Sequence, residues 1–564
     1  MTHTSPAGAR PGFVEQYRPK LLTVLHEGYG LHQLRADVLA GLTVAIVALP
    51  LSMAIAIASG VGPERGLYTA IIGGFLVSAL GGSRFQIGGP AGAFIVLVAA
   101  CVVQIGVPGL LTATLLSGAM LMAVGFLRLG AYIKFIPYPV TVGFTAGIAV
   151  IIFSSQVKEL FGLTLPGGEP SEIWQKMPSL WAARASVTWA AVGIAAMTIV
   201  VIEAIKAWRP ALPSLLIAVT LAAVVAAVFH LPVETIGTRF GQLPRTLPMP
   251  ALPDLSVGAI QAALPYALSF TLLGAIESLL SAVVADGMTG RHHRSNAELV
   301  AQGVANMGSA FFGGIPVTGT IARTATNVRA GAHGPVSGML HALFVLVFLL
   351  IAAPLAAYIP LAALAGVLAI VAWNMAEKDE FWMLLRSSWG DAIVLMATFL
   401  LVVFRDLSEG IVVGFSLGAL LFIHRMSETA RVEQGLALAV DDRADTGLPF
   451  DAGAGTPGNV VVYRISGAFF FGAASAIGSA LERIAEHPRA FIVDLAEVPL
   501  LDSSAAHAIQ LLSRKIGRRG GRLYLTGARP EVRRSLLVQG LRKPAVRYRT
   551  TIEDALEELR RTPA

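Results

Sequence analysis

The sequence predicts an all-α polytopic membrane protein that ends in a small α/β domain. Of the 564 residues, 55% are hydrophobic and only 14% are charged, and the mean hydropathy is +0.69. An ordinary soluble protein of this length is far less apolar. After about residue 427 the composition changes, and short strand-like and helix-like segments alternate. The two regions are therefore predicted to have different folds.

The membrane part is predicted to contain fourteen spans. This count takes about 20 apolar residues for one crossing and allows shorter pieces where a helix is broken. The spans are predicted to begin near residues 38, 67, 90, 109, 139, 185, 211, 260, 297, 318, 335, 360, 390 and 408. An even number of spans places both termini on the same side of the membrane.

The distribution of charge predicts which side that is. Residues 1–36 contain basic side chains but no apolar core, which is typical of a cytoplasmic N-terminal region and not of a signal peptide. The loops that would face the cytoplasm are richer in Lys and Arg than the opposite loops. Both termini are therefore predicted to be cytoplasmic, with the spans in a bacterial inner membrane. The net charge of +7 is attributed to this topology, so no nucleic-acid partner is expected.

The remaining divisions of the chain follow from composition. The membrane domain is predicted at residues 37–426, a polar linker at 427–458 and the terminal domain at 459–564. In the terminal domain, strands near residues 460–465, 490–495, 522–526 and 546–548 alternate with helices near 473–487, 504–516, 530–539 and 551–560. The single cysteine, Cys101, excludes an internal disulfide.

The segment Gly314–Arg329 places polar residues at membrane depth. Small residues and Pro316 come first, so the chain is predicted to arrive extended and to become helical at about Val317 or Thr318. The start of a helix offers unpaired N–H donors and a partial positive charge, and Arg323 adds a full charge. This pattern predicts an anion-binding helix terminus.

A second segment, Gly88–Phe94, has the same pattern of small residues and a proline leading into a helix. Aligning the two prolines gives an offset of 226 residues and two halves of seven spans, at about residues 37–209 and 258–426. Because seven is odd, the second half is inverted, and such repeats place a binding site between paired broken helices. The alternative is that both segments merely kink ordinary helices.

Several motifs resemble the sulfate permease family, also called solute carrier family 26. They include Asp37–Ala54, Gly66–Tyr68, Gly81–Arg84 and Gly88–Pro90. The terminal domain is similar to the STAS (sulfate transporter and anti-sigma antagonist) domain of that family. The resemblance implies a 7+7 inverted repeat divided into core and gate domains, a homodimer, and an anion held between the third and tenth helices. Within the family, Gly274–Gly290 looks most like the bacterial C4-dicarboxylate branch.

Two charged residues are the sharpest candidates within the spans. Glu277 lies mid-way along an apolar run, with Gly274 and Ser281 on its helix face, and is predicted to bind a coupling proton. The alternative is a structural carboxylate hydrogen-bonded to helix ends. Arg323 is interpreted either as a countercharge for the substrate or as a partner for Glu277. The other predicted substrate-binding residues are Ser52, Met53, Ala91, Gly92, Ala93, Phe94, Thr318, Gly319, Thr320 and Ile321.

The predicted function is proton-coupled symport of a C4-dicarboxylate, such as succinate or fumarate, by alternating access. The alternatives are a sulfate or bicarbonate transporter of the same fold, or an anion channel. An enzyme is disfavoured, and no cofactor or metal site is expected, because the membrane part shows no metal-ligand cluster, nucleotide loop or pairing of a nucleophile with a base. The terminal domain is a candidate docking module for cytosolic proteins. Its Asp502-Ser503-Ser504 sequence is interpreted as a helix N-cap in preference to a phosphorylation loop.

Overall fold

The structure is a computed structural model of the chain. It describes residues 13–130, 137–165, 170, 172–209, 212–405, 407–428, 431–434, 460–467, 490–501, 503–518, 520–538 and 540–561. The chain forms two compact units, Met1–Gly418 and Ala419–Ala564.

Helices dominate the first unit. In chain order they are α1 (Phe13–Tyr17), α2 (Lys20–His26), α3 (Leu31–Ala58), α4 (Pro63–Tyr68), α5 (Gly74–Leu80), α6 (Ile95–Phe126), α7 (Tyr138–Phe161), α8 (Ile173–Ala182), α9 (Trp189–Trp208), α10 (Ser214–Val228), α11 (Ile236–Phe240), α12 (Val257–Thr289), α13 (Ser295–Phe311), α14 (Ile321–Arg329), α15 (Val336–Ala356), α16 (Leu361–Met375), α17 (Lys378–Ser387), α18 (Trp389–Phe404) and α19 (Leu407–Glu428), the last of which continues into the second unit. Two short strands, β1 (Gly88–Gly89) and β2 (Thr318–Gly319), complete it.

The helices agree with the predicted spans. Within the described residues, seven helices are long and apolar enough to cross a membrane, and shorter apolar helices include 214–228 and 389–404. The second span is α4 and α5 joined by a π-helical turn at Thr69–Gly73. The third and fourth spans are two helical parts of α6, which meet without a loop at a kink at Gly106, where φ is +69°. Glycine adopts that backbone conformation without steric cost.

Two groups of helices pack separately. One contains α3, α6, α12, α13, α14 and α15, and the other contains α7, α9, α10, α16 and α18. The first, third, eighth and tenth spans thus lie in one group, as the core and gate division predicts. Close packing within the first group depends on small residues: a Cβ at Gly118 would lie 2.6 Å from the carbonyl oxygen of Gly303.

The second unit contains a five-stranded sheet in the order β3 (Arg431–Gln434), β4 (Val460–Ser466), β5 (Ala490–Asp494), β6 (Arg522–Thr526) and β7 (Arg547–Arg549). β3 pairs antiparallel with β4, and the other pairs are parallel. Its helices are α20 (Ser503–Arg518), α21 (Pro530–Val538) and α22 (Ile552–Arg561). The alternating pattern predicted strands β4 to β7 and helices α20 to α22, but not β3 or the order of the strands.

Some predictions for the terminal region differ from the structure or lie outside it. β3 lies within the predicted linker, because its residues add an edge strand to β4. The rest of that linker from residue 435, the helix predicted at 473–487 and Asp502 lie outside the described residues.

Candidate functional site: two broken helices

The two broken helices meet through their strands. β1 pairs antiparallel with β2, with Gly88 opposite Gly319. A one-turn 3-10 helix at Gly92–Phe94 leads from β1 into α6, and α14 begins at Ile321. The starts of α6 and α14 therefore lie on either side of a two-residue sheet, as the repeat predicted.

The predicted start of α14 was too early. The helix begins at Ile321, not at Val317 or Thr318. The reason is a pairing across more than 200 residues of sequence: Thr318 belongs to β2, and the N–H of Thr320 donates to the carbonyl oxygen of Ile87 at 3.0 Å. Pairing with β1 thus keeps the chain extended beyond the proline.

Helix α13 holds the extended segment before β2. Asn306 accepts from the N–H of Val317 at 3.0 Å and donates to its carbonyl oxygen at 2.8 Å. Ser309 donates to the carbonyl oxygen of Ile315 at 2.7 Å. Pro316, between them, has no N–H to satisfy. The buried backbone of this segment is therefore paired without helical hydrogen bonds.

Helix α14 in turn holds the segment before β1. The N–H of Ile87 donates to Oγ1 of Thr324 at 3.1 Å. Asn327 donates to the carbonyl oxygen of Phe85 at 2.9 Å. The second broken helix thus supports the first from its side chains as well as through β2.

Arg323 lies at the meeting point and is only 1% exposed. Its Nη2 donates to Oγ of Ser52 at 3.1 Å and to the carbonyl oxygen of Pro90 at 3.3 Å. Its Nε and Nη1 have no hydrogen-bond partner among the described residues. Gly89 is required beside it, because a Cβ there would lie 2.2 Å from Nη1. A buried guanidinium with unused N–H groups is an attractive site for an anion.

Glu277 lies in α12 and is 8% exposed. The described residues contain no ion pair between it and Arg323 and no hydrogen bond to its carboxylate. Gly274 and Ser281, on its helix face, are buried against protein, as predicted. Ser281 donates to Oγ1 of Thr324 at 3.0 Å, so α12 is bonded to α14 one turn beyond the carboxylate.

Ser278, adjacent to Glu277, is a positioning residue that sequence reasoning missed. Its hydroxyl lies 2.7 Å from Oγ1 of Thr318 and accepts from the N–H of Gly319 at 3.3 Å.

The expected role of three predicted anion donors is corrected by these bonds. The hydroxyl of Thr318 and the N–H groups of Gly319 and Thr320 bond to the protein itself. The free donors at this terminus are instead the first N–H groups of α14, from Ile321 to Arg323, which have no acceptor within the helix.

The remaining predicted residues surround this point. The buried ones are Ser52, Met53, Ala91, Ala93, Phe94, Thr318, Gly319 and Thr320, whereas Gly92 and Ile321 are half-buried. The ring of Phe94 packs on Phe270 of α12, with centroids 5.9 Å apart. Of the first-half residues, Ser52 and the carbonyl of Pro90 are the ones that bond to Arg323.

A cavity of about 410 Å³ lies between the two groups of helices. Its lining includes Ala54 of α3 and Ile95 of α6, each next in sequence to a predicted site residue, and Leu364 of α16. The predicted residues themselves do not line it. The cavity therefore extends from the space between the two groups of helices to the edge of the candidate site.

Two signals could have identified the missed residues. Ser278 and Ser281 are hydroxyls in an apolar helix beside a carboxylate, and Gln302 and Asn306 are amides four residues apart on one face of α13. Each pair indicates a helix face that contacts polar backbone instead of lipid. Gln302 donates to Glu298 of its own helix. The partners of Ser278, Ser281 and Asn306 lie in β2, α14 and the segment before β2, and only the three-dimensional structure reveals them.

Comparison with known proteins identifies the family. The chain matches the sulfate permease family over residues 34–398 and the STAS domain over residues 454–555. The chain belongs to the sulfate permease family. It is accordingly a multi-pass membrane protein and an anion transporter, not an enzyme.

Individual relatives agree with this assignment. The chain is 40% identical to the putative sulfate transporter YvdB of Bacillus subtilis (strain 168), over 91% of this chain and 95% of the relative. It is 30% identical to the bicarbonate transporter BicA of a Picosynechococcus species, over 89% of this chain and 90% of the relative. The fold matches that of the murine Solute Carrier 26 family member A9 anion transporter, with a TM-score of 0.85 and 18% identity, over 100% of this chain and 97% of that one.

These comparisons support the family and the terminal STAS domain but not the C4-dicarboxylate branch. The two relatives named above, which match over most of their length, are named for sulfate and bicarbonate. The resemblance of Gly274–Gly290 to the dicarboxylate branch rested on one helix, which is too short a segment to decide a substrate.

Proposed function

We propose that this protein is a secondary transporter of a small inorganic oxyanion, with sulfate as the leading substrate. The observation that carries the proposal is Arg323, a buried guanidinium with two unused N–H groups beside the starts of two helices. The anion binds between α6 and α14, and the core group then moves against the gate group.

The geometry favours a compact anion over a C4-dicarboxylate. Among the described residues, Arg323 supplies the positive charge at the starts of α6 and α14. The free N–H groups of the first turn of α14 lie beside it. A tetrahedral dianion presents its oxygens to all of these donors at once. A C4-dicarboxylate carries its two charges at opposite ends and would place one of them away from the guanidinium. C4-dicarboxylates such as succinate and fumarate remain the third candidate class, and succinate represents them in the test below.

Bicarbonate is the second candidate. It is favoured by the similarity of this chain to a bicarbonate transporter over most of both chains. A planar monoanion needs fewer donors than sulfate, and one edge of a guanidinium supplies two parallel N–H groups.

Glu277 is proposed as the proton-coupling group. Its carboxylate is almost buried and has no hydrogen-bond partner among the described residues. A carboxylate that served only as structural support would be bonded to neighbouring helix ends. Protonation removes a buried charge, which makes movement of the loaded core less costly.

The substrate is tested by uptake of labelled sulfate, bicarbonate and succinate into proteoliposomes at two external pH values. We expect sulfate uptake to be the fastest and to be competed by excess unlabelled sulfate. Bicarbonate uptake alone would assign the second candidate, and succinate uptake alone would refute the compact-anion argument. An electrical current that runs down the anion gradient without accumulation would instead indicate a channel.

Two variants assign the residues. Arg323→Gln is expected to weaken sulfate binding at least about tenfold, because a charge-assisted hydrogen bond is lost. Its matched control is Arg329→Gln, on the exposed last turn of the same helix. Glu277→Gln is expected to abolish pH-gradient-driven uptake while anion exchange persists, with the exposed Glu203→Gln as control. Unchanged pH-driven uptake in Glu277→Gln would exclude the proton site.

We also propose a homodimer with cytoplasmic termini and a STAS domain that docks cytosolic proteins, as the family resemblance implies. Mass measurement of the detergent-solubilised chain tests the dimer, and labelling of engineered terminal cysteines from either side of the membrane tests the orientation. Deleting the chain after about residue 430 and measuring uptake tests how far transport depends on the terminal domain.

A further inference from the structure

The positive charge of the chain is concentrated in the terminal domain. Residues 459–564 contain 17 Lys or Arg and 10 Asp or Glu, which equals the net charge of +7 of the whole chain. Between Arg514 and Arg549 there are twelve basic residues and one acidic residue, Glu531. Residues 1–458, which include the membrane domain and the acidic linker, are therefore neutral overall, and topology alone does not explain the surplus.

The sheet separates two faces of different charge. Phe491 and Val493 of β5 pack in the same hydrophobic cluster as residues of α20 and α21, whereas Ile492 packs in the cluster that includes α22. α22 carries four carboxylates and two arginines, Arg560 and Arg561. The surface formed by α20, α21 and the loop that follows α21 is predominantly basic, and we call it the basic face. On that side Arg547 and Arg549 also pair with Glu558 of α22, so the surplus of positive charge lies on the basic face.

The basic face is not neutralised internally. Arg514 of α20, Arg534 of α21 and Lys543 of the following loop are exposed. None of these three forms an ion pair within the described residues. On the other side, Arg561 pairs with Glu557 at 3.3 Å. Unpaired cations on one surface repel each other, so an anionic partner stabilises them.

Exposed apolar side chains lie among these cations. Leu511 of α20 is 52% exposed and Val538 of α21 is 75% exposed. Leu511 is one helical turn before Arg514, and Val538 one turn after Arg534, so each apolar residue shares the outer line of its helix with an arginine. Apolar side chains interspersed with cations are typical of surfaces that bind at a membrane interface.

The chain itself keeps this domain near a bilayer. The apolar helix α19 ends at Glu428, and β3 of the sheet begins at Arg431. Three residue steps span at most about 11 Å, so the edge of the sheet begins within that distance of the end of α19. A surface tethered so closely meets the membrane at a high effective concentration.

We propose that the basic face of the STAS domain binds the anionic lipid headgroups of the leaflet next to the end of α19. Lysine and arginine side chains contact phosphate groups, Leu511 and Val538 enter the interface, and the α22 side faces the solution. Each cation contributes about a fivefold increase in affinity for an anionic surface. A soluble acidic macromolecule would have to compete with a leaflet that is always within reach.

The test uses the full-length chain in lipid nanodiscs. The buried Cys101 is the single native cysteine, so a Cys101→Ala background with Leu511→Cys accepts one environment-sensitive fluorophore on the basic face. The discs contain phosphatidylcholine alone or one-third phosphatidylglycerol, each with a trace of headgroup-nitroxide lipid as quencher. We expect quenching in the anionic discs, little in the neutral ones, and a decrease with added salt.

Two variants with the same change of charge complete the test. Arg514→Glu with Arg534→Glu is expected to reduce the quenching in anionic discs at least tenfold, to the level in neutral discs. Arg560→Glu with Arg561→Glu, on the opposite side of the domain, is expected to retain it. Equal quenching in both lipid compositions, or an equal loss in both variants, would refute the proposal. Protection of the fluorophore only on addition of an oligonucleotide or an acidic protein would refute it in favour of that partner.

Discussion

The two broken helices have the same backbone arrangement, but the first is apolar at its start and the second is polar and charged. Each begins after a glycine-rich strand, and the two strands pair with each other. The first leads into apolar residues around Phe94, whereas the second carries Arg323, Thr324 and Asn327 on buried positions. An inverted repeat can therefore duplicate a scaffold while only one copy carries the charge.

The comparison also distinguishes how the two segments are held. The segment before β2 is bonded by Asn306 and Ser309 of a neighbouring helix. The segment before β1 depends on the second broken helix itself, through Thr324 and Asn327. In our proposal, the second broken helix therefore both contacts the substrate and supports the first broken helix.

The largest effect is expected from replacing the glycine beside Arg323. A Cβ in Gly89→Ala would lie 2.2 Å from Nη1 of Arg323 and would displace the guanidinium from Ser52. We expect sulfate affinity to fall about ten- to a hundredfold, since one charge-assisted hydrogen bond contributes about 1.5–3 kcal/mol. Equilibrium binding of labelled sulfate to the purified protein measures this.

The matched control is the glycine opposite, in the other strand. Gly319→Ala would displace the uncharged side chain of Gln86, whose Nε2 lies 1.8 Å from the added Cβ. We expect its sulfate affinity to remain within about threefold of the parent, a change below 1 kcal/mol. Equal losses of affinity in both variants would show that the effect comes from disturbing the strand pair and not from displacing the guanidinium.

The next effect concerns the two asparagines. Asn306→Ala removes two hydrogen bonds to Val317, whereas Asn327→Ala removes one to Phe85. Each buried backbone group left unpaired costs about 1–3 kcal/mol, so Asn306→Ala should cost about twice as much stability. Thermal unfolding of the two variants in the same detergent tests this order, and a larger loss in Asn327→Ala would contradict it.

A smaller effect is expected at Ser52. Ser52→Ala removes one of the two acceptors that position Arg323 and leaves the carbonyl of Pro90. One such bond is worth about 1 kcal/mol, so the KM for sulfate should rise about fivefold with little change in unfolding temperature. Ser416→Ala removes a hydroxyl bonded only within its own exposed helix and serves as control. An unchanged KM in Ser52→Ala would mean that Pro90 alone positions the guanidinium.

The smallest effect is a pH dependence at the entry to the first broken helix. Arg84, in the loop before β1, bonds to Glu27 and lowers the pKa of that carboxyl. A lowered pKa in the folded state means that the pair contributes stability above the unfolded pKa of about 4.3 and loses it as pH falls through the folded value. Because the side chain of Glu27 is 44% exposed, we expect less than about 1 kcal/mol.

That contribution is measured by comparing the unfolding temperatures of the parent and Glu27→Gln at a series of pH values. The two should differ at neutral pH and converge in acid. A difference that persists below the pKa of the carboxyl would attribute the effect to packing and not to charge.

Local sequence patterns predicted the broken helices but not where they begin. The prolines and glycines at Pro90 and Pro316 signal interrupted helices, because proline lacks an N–H and restricts the residue before it. The start of α14 at Ile321 depends on a strand pair between distant segments, which no local pattern encodes. The spans, by contrast, follow from apolar length and were placed within several residues.

The roles of individual polar residues were only partly predictable. Glu277 and Arg323 were conspicuous because charges are rare in apolar helices. Sequence could not decide between the two interpretations of Arg323, since its distance to Glu277 depends on how α12 and α14 pack. The structure pairs the guanidinium with Ser52 and Pro90 instead.

The hydrogen-bonded contact between β1 and β2 also limits how the transporter can work. Because the two helix starts share backbone hydrogen bonds, they cannot separate without leaving buried N–H and C=O groups unpaired. In the proposed mechanism, the anion is therefore carried in a pocket that stays assembled. The two sides of the membrane would then differ in their access to the pocket and not in the backbone contact that joins the two helix starts.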